Sequence, residues 1–193
     1  MRRLALIASA CLLALCVNAC GTRPYNEPHI VAPGFKGAGV AYPNTKPGVP
    51  YTVGDLIICL DRPGKVTIED IEMIKPEGGL QLDDFSVIPN AMESGAGGFE
   101  DSNVPISRLT PSPAKPVVMT HACPADWNAP PVPNPQSVAL LLQYSKSSDR
   151  AATSAGITVL YSSSGHKDKL TLRWTVGLCP DETAASTGCL SGS

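Results

Sequence analysis

Apolar and polar residues alternate along the C-terminal part of the chain. Leu170, Leu172, Trp174, Val176 and Leu178 are separated by Thr171, Arg173, Thr175 and Gly177. Successive side chains of a strand point to opposite faces, so this repeat predicts a β-strand with one buried and one wet face. Ile157, Val159 and Tyr161 form a second such run, alternating with Thr158 and Ser162. The residues between the two runs, Ser163 to Asp168, read as a hairpin loop. Val138, Leu140, Leu142 and Tyr144 make a third run. Leu56 to Leu60 is a short continuous apolar strand, stopped by the turn residues Asp61-Arg62-Pro63-Gly64.

The middle of the chain keeps the two-residue repeat but changes its phase. Val66 and Ile68 give way to Ile71 and Met73, and Leu80 and Leu82 to Phe85 and Val87. A shift by one residue turns every following side chain to the other face unless an extra residue is accommodated, so two β-bulges or bends are expected. Ile68, Ile71 and Ile74 also have helical spacing, but Pro76 would end such a helix after two turns, and strand is the favoured reading. Short strands with Pro and Gly punctuation and no long helix predict an all-β chain, an antiparallel immunoglobulin-like β-sandwich of about seven strands.

The N-terminus has a different pattern. Arg2 and Arg3 precede an uncharged run of 14 residues, Leu4 to Val17. That is shorter than the ~20 residues needed to span a bilayer, and it suits a signal peptide. Val17-Asn18-Ala19-Cys20-Gly21 follows. It resembles the cleavage site of bacterial lipoproteins, with an aliphatic residue three before the cysteine, a small residue before it and Gly after it; Asn18 is an unusual occupant. A small-x-small site at Ala8 to Ala10 would leave most of the apolar run attached. Arg2-Arg3 lacks the neighbours of a twin-arginine signal. Residues 1–19 are thus expected to be removed and Cys20 to carry diacylglycerol, with palmitate-type chains holding the protein on the extracytoplasmic face of a bacterial membrane.

Loss of Arg2 and Arg3 leaves 13 basic against 17 acidic residues, a balance of −4. No basic patch stands out, which argues against nucleic acid as a partner. Residues 20–50 hold six prolines and five glycines without apolar periodicity. They read as a stiff, extended tether, although Ile30-Val31 and Val40-Ala41-Tyr42 could instead pack on the domain, which is placed at residues 51–193.

Over residues 54–180 the chain also resembles a group of uncharacterised actinobacterial-type secreted lipoproteins with an immunoglobulin-like domain. The likeness lies in Cys59-Leu60-x-x-Pro63-Gly64, Gly78-Gly79-Leu80, Cys123-Pro124 and a last strand ending in Leu178-Cys179. These motifs are structural. The resemblance implies a fold and brings no activity with it.

Seven cysteines are present. Cys11 and Cys16 leave with the signal and Cys20 takes lipid, so Cys59, Cys123, Cys179 and Cys189 remain, an even number that reads as two disulfides in an oxidising compartment. Three pairings are possible. The short span favours Cys179 with Cys189, which leaves Cys59 with Cys123; a Cys59–Cys179 bridge stays open.

Candidate chemistry is sparse. Met119, His121 and Cys123 alternate on an expected strand, and thioether, imidazole and thiolate together suit copper. A disulfide at Cys123 would remove the anionic ligand, so no metal and no cofactor is expected. His166 reads as a solvated loop residue and His29 as part of the tether. Gly-x-Ser-x-Gly is absent, and Ser162 to His166 lies in the expected loop without a buried group to orient a base. Glu69-Asp70-x-Glu72 and Asp83-Asp84 are acidic clusters without a ligand pattern. Trp127 and Pro130-Pro131-Val132-Pro133 read as a connection. The sequence therefore points to a non-catalytic binding or scaffold module, with an unidentified envelope protein or ligand as partner. Copper handling and a loop-assembled envelope enzyme are the competing classes.

Overall fold

The structure, a computed structural model, describes residues 27–89, 104–109, 116–124, 138–182 and 189. The described chain is nearly all β. Its strands are β1 (Ile30–Val31), β2 (Ala38–Tyr42), β3 (Tyr51–Leu60), β4 (Val66–Ile74), β5 (Leu80–Pro89), β6 (Val117–Met119), β7 (Val138–Lys146), β8 (Ala152–Ser154), β9 (Gly156–Ser163), β10 (His166–Leu172) and β11 (Trp174–Leu178); one short helix, α1 (Ile106–Leu109), lies between β5 and β6. They form three sheets with the orders β1-β3-β7-β5, β10-β9-β4-β6 and β2-β11-β8. Strand pairing is antiparallel, except that β2 runs parallel to β11. One apolar core draws on all three sheets, with Ile58, Leu60, Val66, Ile68, Leu140, Ile157, Val159, Val176 and Leu178 fully buried.

Both expected phase shifts are β-bulges. β4 slips against β9 between Ile68 and Asp70, and β5 slips against β7 between Leu82 and Asp84. The two sites share one chemistry. Asp70 Oδ1 accepts the Ile71 N–H at 2.8 Å, and Asp84 Oδ1 accepts the Phe85 N–H at 2.8 Å. A bulge removes an N–H from the ladder, and a short acceptor side chain satisfies it locally. The two acidic clusters of the sequence are, in this part, bulge residues. Asp83 also accepts the Ser145 hydroxyl at 2.8 Å.

Several boundaries differ from the sequence reading. The strands exceed seven because β1, β6 and β8 are two or three residues long and too short to display a period. The single alternating run 170–178 serves two sheets: β10 ends at Leu172, and β11 begins at Trp174 against β2 and β8. Parity survives the switch because one face stays on the core. The loop expected from Ser163 to Asp168 is a two-residue turn, Ser164 (φ 49°) and Gly165 (φ 87°), so His166 and Asp168 belong to a strand. Two consecutive left-handed residues give the turn whose twist matches that of the flanking strands.

The tether expected over 20–50 is corrected as well. From Glu27 onward the chain belongs to the folded unit. β1 pairs with the end of β3, β2 pairs with β11, and Ile30 and Tyr42 are buried. The prolines that suggested an extended linker punctuate these short strands. Residues 21–26 lie outside the described residues.

β7 is buried on both faces. Leu140, Leu142 and Tyr144 face the core, while Ala139 and Leu141, equally buried, face the other way. Residues 104–109 cover that second face: Ile106 is fully buried, its N–H donates to Gln143 Oε1 at 2.9 Å, and Thr52 Oγ1 donates to Val104 O at 2.6 Å. At the opposite end of the strands from the β9–β10 turn, the 76–79 turn is locked against residue 151. A Cβ on Gly78 (φ 65°) would lie 2.0 Å from Ala151 O, which leaves room only for glycine.

Candidate functional site

A polar cluster gathers where the inner face of the β9–β10 hairpin runs out of apolar residues. Going toward the turn, the cross-strand pairs on that face change from Leu172–Ile157 and Leu170–Val159 to Asp168–Tyr161 and His166–Ser163. The chain entering β1 lies across them. His29 Nδ1 is 3.0 Å from Asp168 Oδ2, with side-chain exposures of 32% and 16%. The Tyr161 hydroxyl reaches the same carboxylate oxygen at 3.3 Å. Glu27 Oε1 lies 3.6 Å from His166 Nε2. The lead and the hairpin thus each contribute one histidine and one carboxylate, two residues apart, and the pairs join across the gap.

The backbone of the lead is held from its other side. His29 N–H donates to Asp61 Oδ1 at 2.8 Å, and Asp61 N–H returns a bond to His29 O at 3.0 Å. Partial burial would raise the pKa of Asp61, but its bonds from Arg62 and the His29 amide, with the charges of Arg62 and His29, outweigh burial and hold the carboxyl below its usual range.

Glu27, His29, Tyr161, Ser163, His166, Lys167 and Asp168 enclose a cavity of about 20 Å³, room for one water. Ser163 is 3% exposed, and its Oγ has no hydrogen-bond partner. Imidazole beside carboxylate is the arrangement that orients a base. Here, however, the His29 ring meets the Tyr161 hydroxyl, at 3.5 Å, and makes no hydrogen bond to Ser163, whose own hydroxyl is sealed from solvent. The geometry is that of a clasp with a water-sized pocket behind it.

The residues singled out from the sequence are placed as follows. Cys59 is bonded to Cys123 with the Cα atoms 5.1 Å apart, and Cys179 to Cys189 with the Cα atoms 6.1 Å apart. The 121–123 segment runs parallel to the end of β3: His121 O accepts the Leu60 N–H at 2.8 Å, and the Cys123 N–H donates to Leu60 O at 2.7 Å. Met119 is buried in the core. The Met119, His121 and Cys123 set therefore has its sulfur bonded to Cys59, and no thiolate is left for copper. Among the described residues, no group of three or more His, Cys, Asp or Glu is arranged to hold a metal ion, and no helix is long and apolar enough to cross a membrane. Cys20, Trp127 and the 130–133 prolines lie outside the described residues.

The clasp was not legible as a unit. In the sequence, Ser163 and His166 read as a loop and His29 as a tether, and nothing local marks Glu27. One signal was present: residues 166 and 168 share parity with Leu170 and Leu172, and 163 shares it with Ile157 and Val159. Polar side chains on a core-facing parity mark an interior that needs polar partners. Comparison with known family models, curated proteins and solved structures gives no match.

Proposed function

We propose that the chain is a lipid-anchored, non-catalytic module of the extracytoplasmic face of a bacterial membrane. In this reading it is an immunoglobulin-like β-sandwich displayed on diacylglycerol at Cys20. One observation carries the proposal. Outside the apolar leader with Cys11 and Cys16, every cysteine but Cys20 is spent in a disulfide. The odd thiol sits at the position where the Val17 to Gly21 pattern calls for acylation. Two disulfides suit an oxidising compartment, where an unmodified leftover thiol would be a liability. The module then acts by presenting its surface to another envelope component, without a bound cofactor. The test is Cys20→Ala in a host that processes lipoproteins. Loss of detergent-phase partitioning and of fatty-acid labelling is expected; unchanged partitioning overturns the reading.

A second reading, an envelope enzyme, is favoured by the His29–Asp168 pair lining one cavity with the unpartnered Ser163. If the hairpin opens to admit substrate, Ser163 would be the nucleophile and His29 its base. A fluorophosphonate probe decides this. Stoichiometric labelling that disappears with Ser163→Ala supports the enzyme, and no labelling supports the clasp.

A further inference from the structure

Among the described residues, the hydroxyls of Tyr144 and Ser163 are buried without a hydrogen-bond partner. Their surroundings differ. Tyr144 belongs to the apolar core cluster. Ser163 lines the cavity behind the clasp. That lining is polar: carboxylates at Glu27 and Asp168, imidazoles at His29 and His166, and the hydroxyls of Tyr161 and Ser163. Both carboxylates are largely withdrawn from bulk solvent, at 14% and 16% exposure. The ammonium of Lys167 is engaged on the outside, 3.4 Å from Glu69 on a side chain 82% exposed. Ser163 shares the inward parity of Ile157 and Val159. Left unbonded there, its hydroxyl would carry a desolvation cost that an apolar residue avoids.

We propose that this cavity is a binding site for one water, which bonds Ser163 Oγ and bridges it to the clasp. A volume of about 20 Å³ admits one water and no larger ligand. Small apolar cavities stay dry, whereas a polar one fills when its walls offer the water several partners. The Ser163 hydroxyl can donate or accept, and each carboxylate has several acceptor positions. Ser163 makes no direct bond to the lead. Through the water it becomes a positioning residue, holding Glu27 and His29 over the hairpin. Removing the two buried hydroxyls then has opposite effects. Loss of the Tyr144 hydroxyl removes an uncompensated cost. Loss of the Ser163 hydroxyl breaks a water-mediated bond and leaves the water short of a partner.

The sign of the stability change provides the test, with a high-resolution crystal structure of the chain beside it. Ser163→Ala is expected to lower the folding equilibrium constant about five-fold in urea unfolding, the direction opposite to Tyr144→Phe. In the His29→Ala background the lead no longer closes the cavity, bulk solvent reaches residue 163, and the same substitution is expected to cost less than about two-fold. The crystal structure is expected to show one ordered water within hydrogen-bonding distance of Ser163 Oγ. A Ser163→Ala variant as stable as the wild type or more so overturns the inference. So does a cavity without density, or density that requires a cation in place of water. An equal cost of Ser163→Ala with and without His29 overturns the bridge to the clasp.

Discussion

His29 Nδ1 lies 3.0 Å from Asp168 Oδ2, a bond that closes 139 residues of chain and joins the segment entering the first strand to the hairpin near the end of the fold. Asp168 accepts from Tyr161 as well. Removing the imidazole leaves a largely buried carboxylate short of a donor. His29→Ala is expected to cost about 1–2 kcal/mol in urea unfolding. A double-mutant cycle with Asp168→Asn is expected to return a coupling of about 1 kcal/mol. Zero coupling would mean that the two groups are neighbours without an energetic link.

Tyr144 is fully buried on β7, and its hydroxyl has no partner. Burial, aided by nearby Tyr42, pushes the phenol far above its ordinary range. A buried donor left unmade carries its desolvation cost, so Tyr144→Phe is expected to stabilise the protein by about 1 kcal/mol. The urea midpoint should rise with the slope unchanged; a lower midpoint would show that the hydroxyl is bonded in solution.

Lys146, also in the largely apolar β7, is 1% exposed and donates to Arg150 O at 3.2 Å. Burial lowers its affinity for a proton, and Asp149 opposes burial only in part. A depressed lysine binds fewer protons folded than unfolded, so stability rises as the pH climbs through the folded value toward the ordinary 10.5. Lys146→Met is expected to abolish that rise. Its advantage over the wild type should be greatest at neutral pH and shrink in alkali, as followed by thermal melts across the range.

The two disulfides are expected to contribute unequally. Cys59–Cys123 spans 64 residues and Cys179–Cys189 spans 10. Loop-closure entropy then gives about 4 and about 3 kcal/mol. Non-reducing peptide mapping should recover both pairs with no free thiol in the domain, and the double alanine variant of the first pair should melt lower than that of the second. A Cys59–Cys179 peptide would refute the pairing.

Strand content was legible where a run was long and amphipathic. Val138 to Tyr144, Ile157 to Tyr161 and Leu170 to Leu178 announced themselves by period alone, and the phase shifts after Ile68 and Leu82 located two bulges. Strands β1 and β2 were not legible, because Ile30-Val31 and Ala38–Tyr42 show no repeat and are held by partners far along the chain. Nor was the turn at Ser164-Gly165, where polar inward residues resembled a loop.

The chain by itself determined a β fold, two bulges, the turn after Leu60 and an even set of cysteines for two disulfides, since each of these is set by residues a few positions apart. Only the tertiary structure decided that one alternating run serves two sheets, that residues 104–109 cover the outer face of β7, and that Glu27 and His29 close over His166 and Asp168. Those outcomes depend on contacts between residues tens to more than a hundred positions apart. No local period encodes such contacts, because the partner that buries or bonds each side chain is chosen by the assembled sheets.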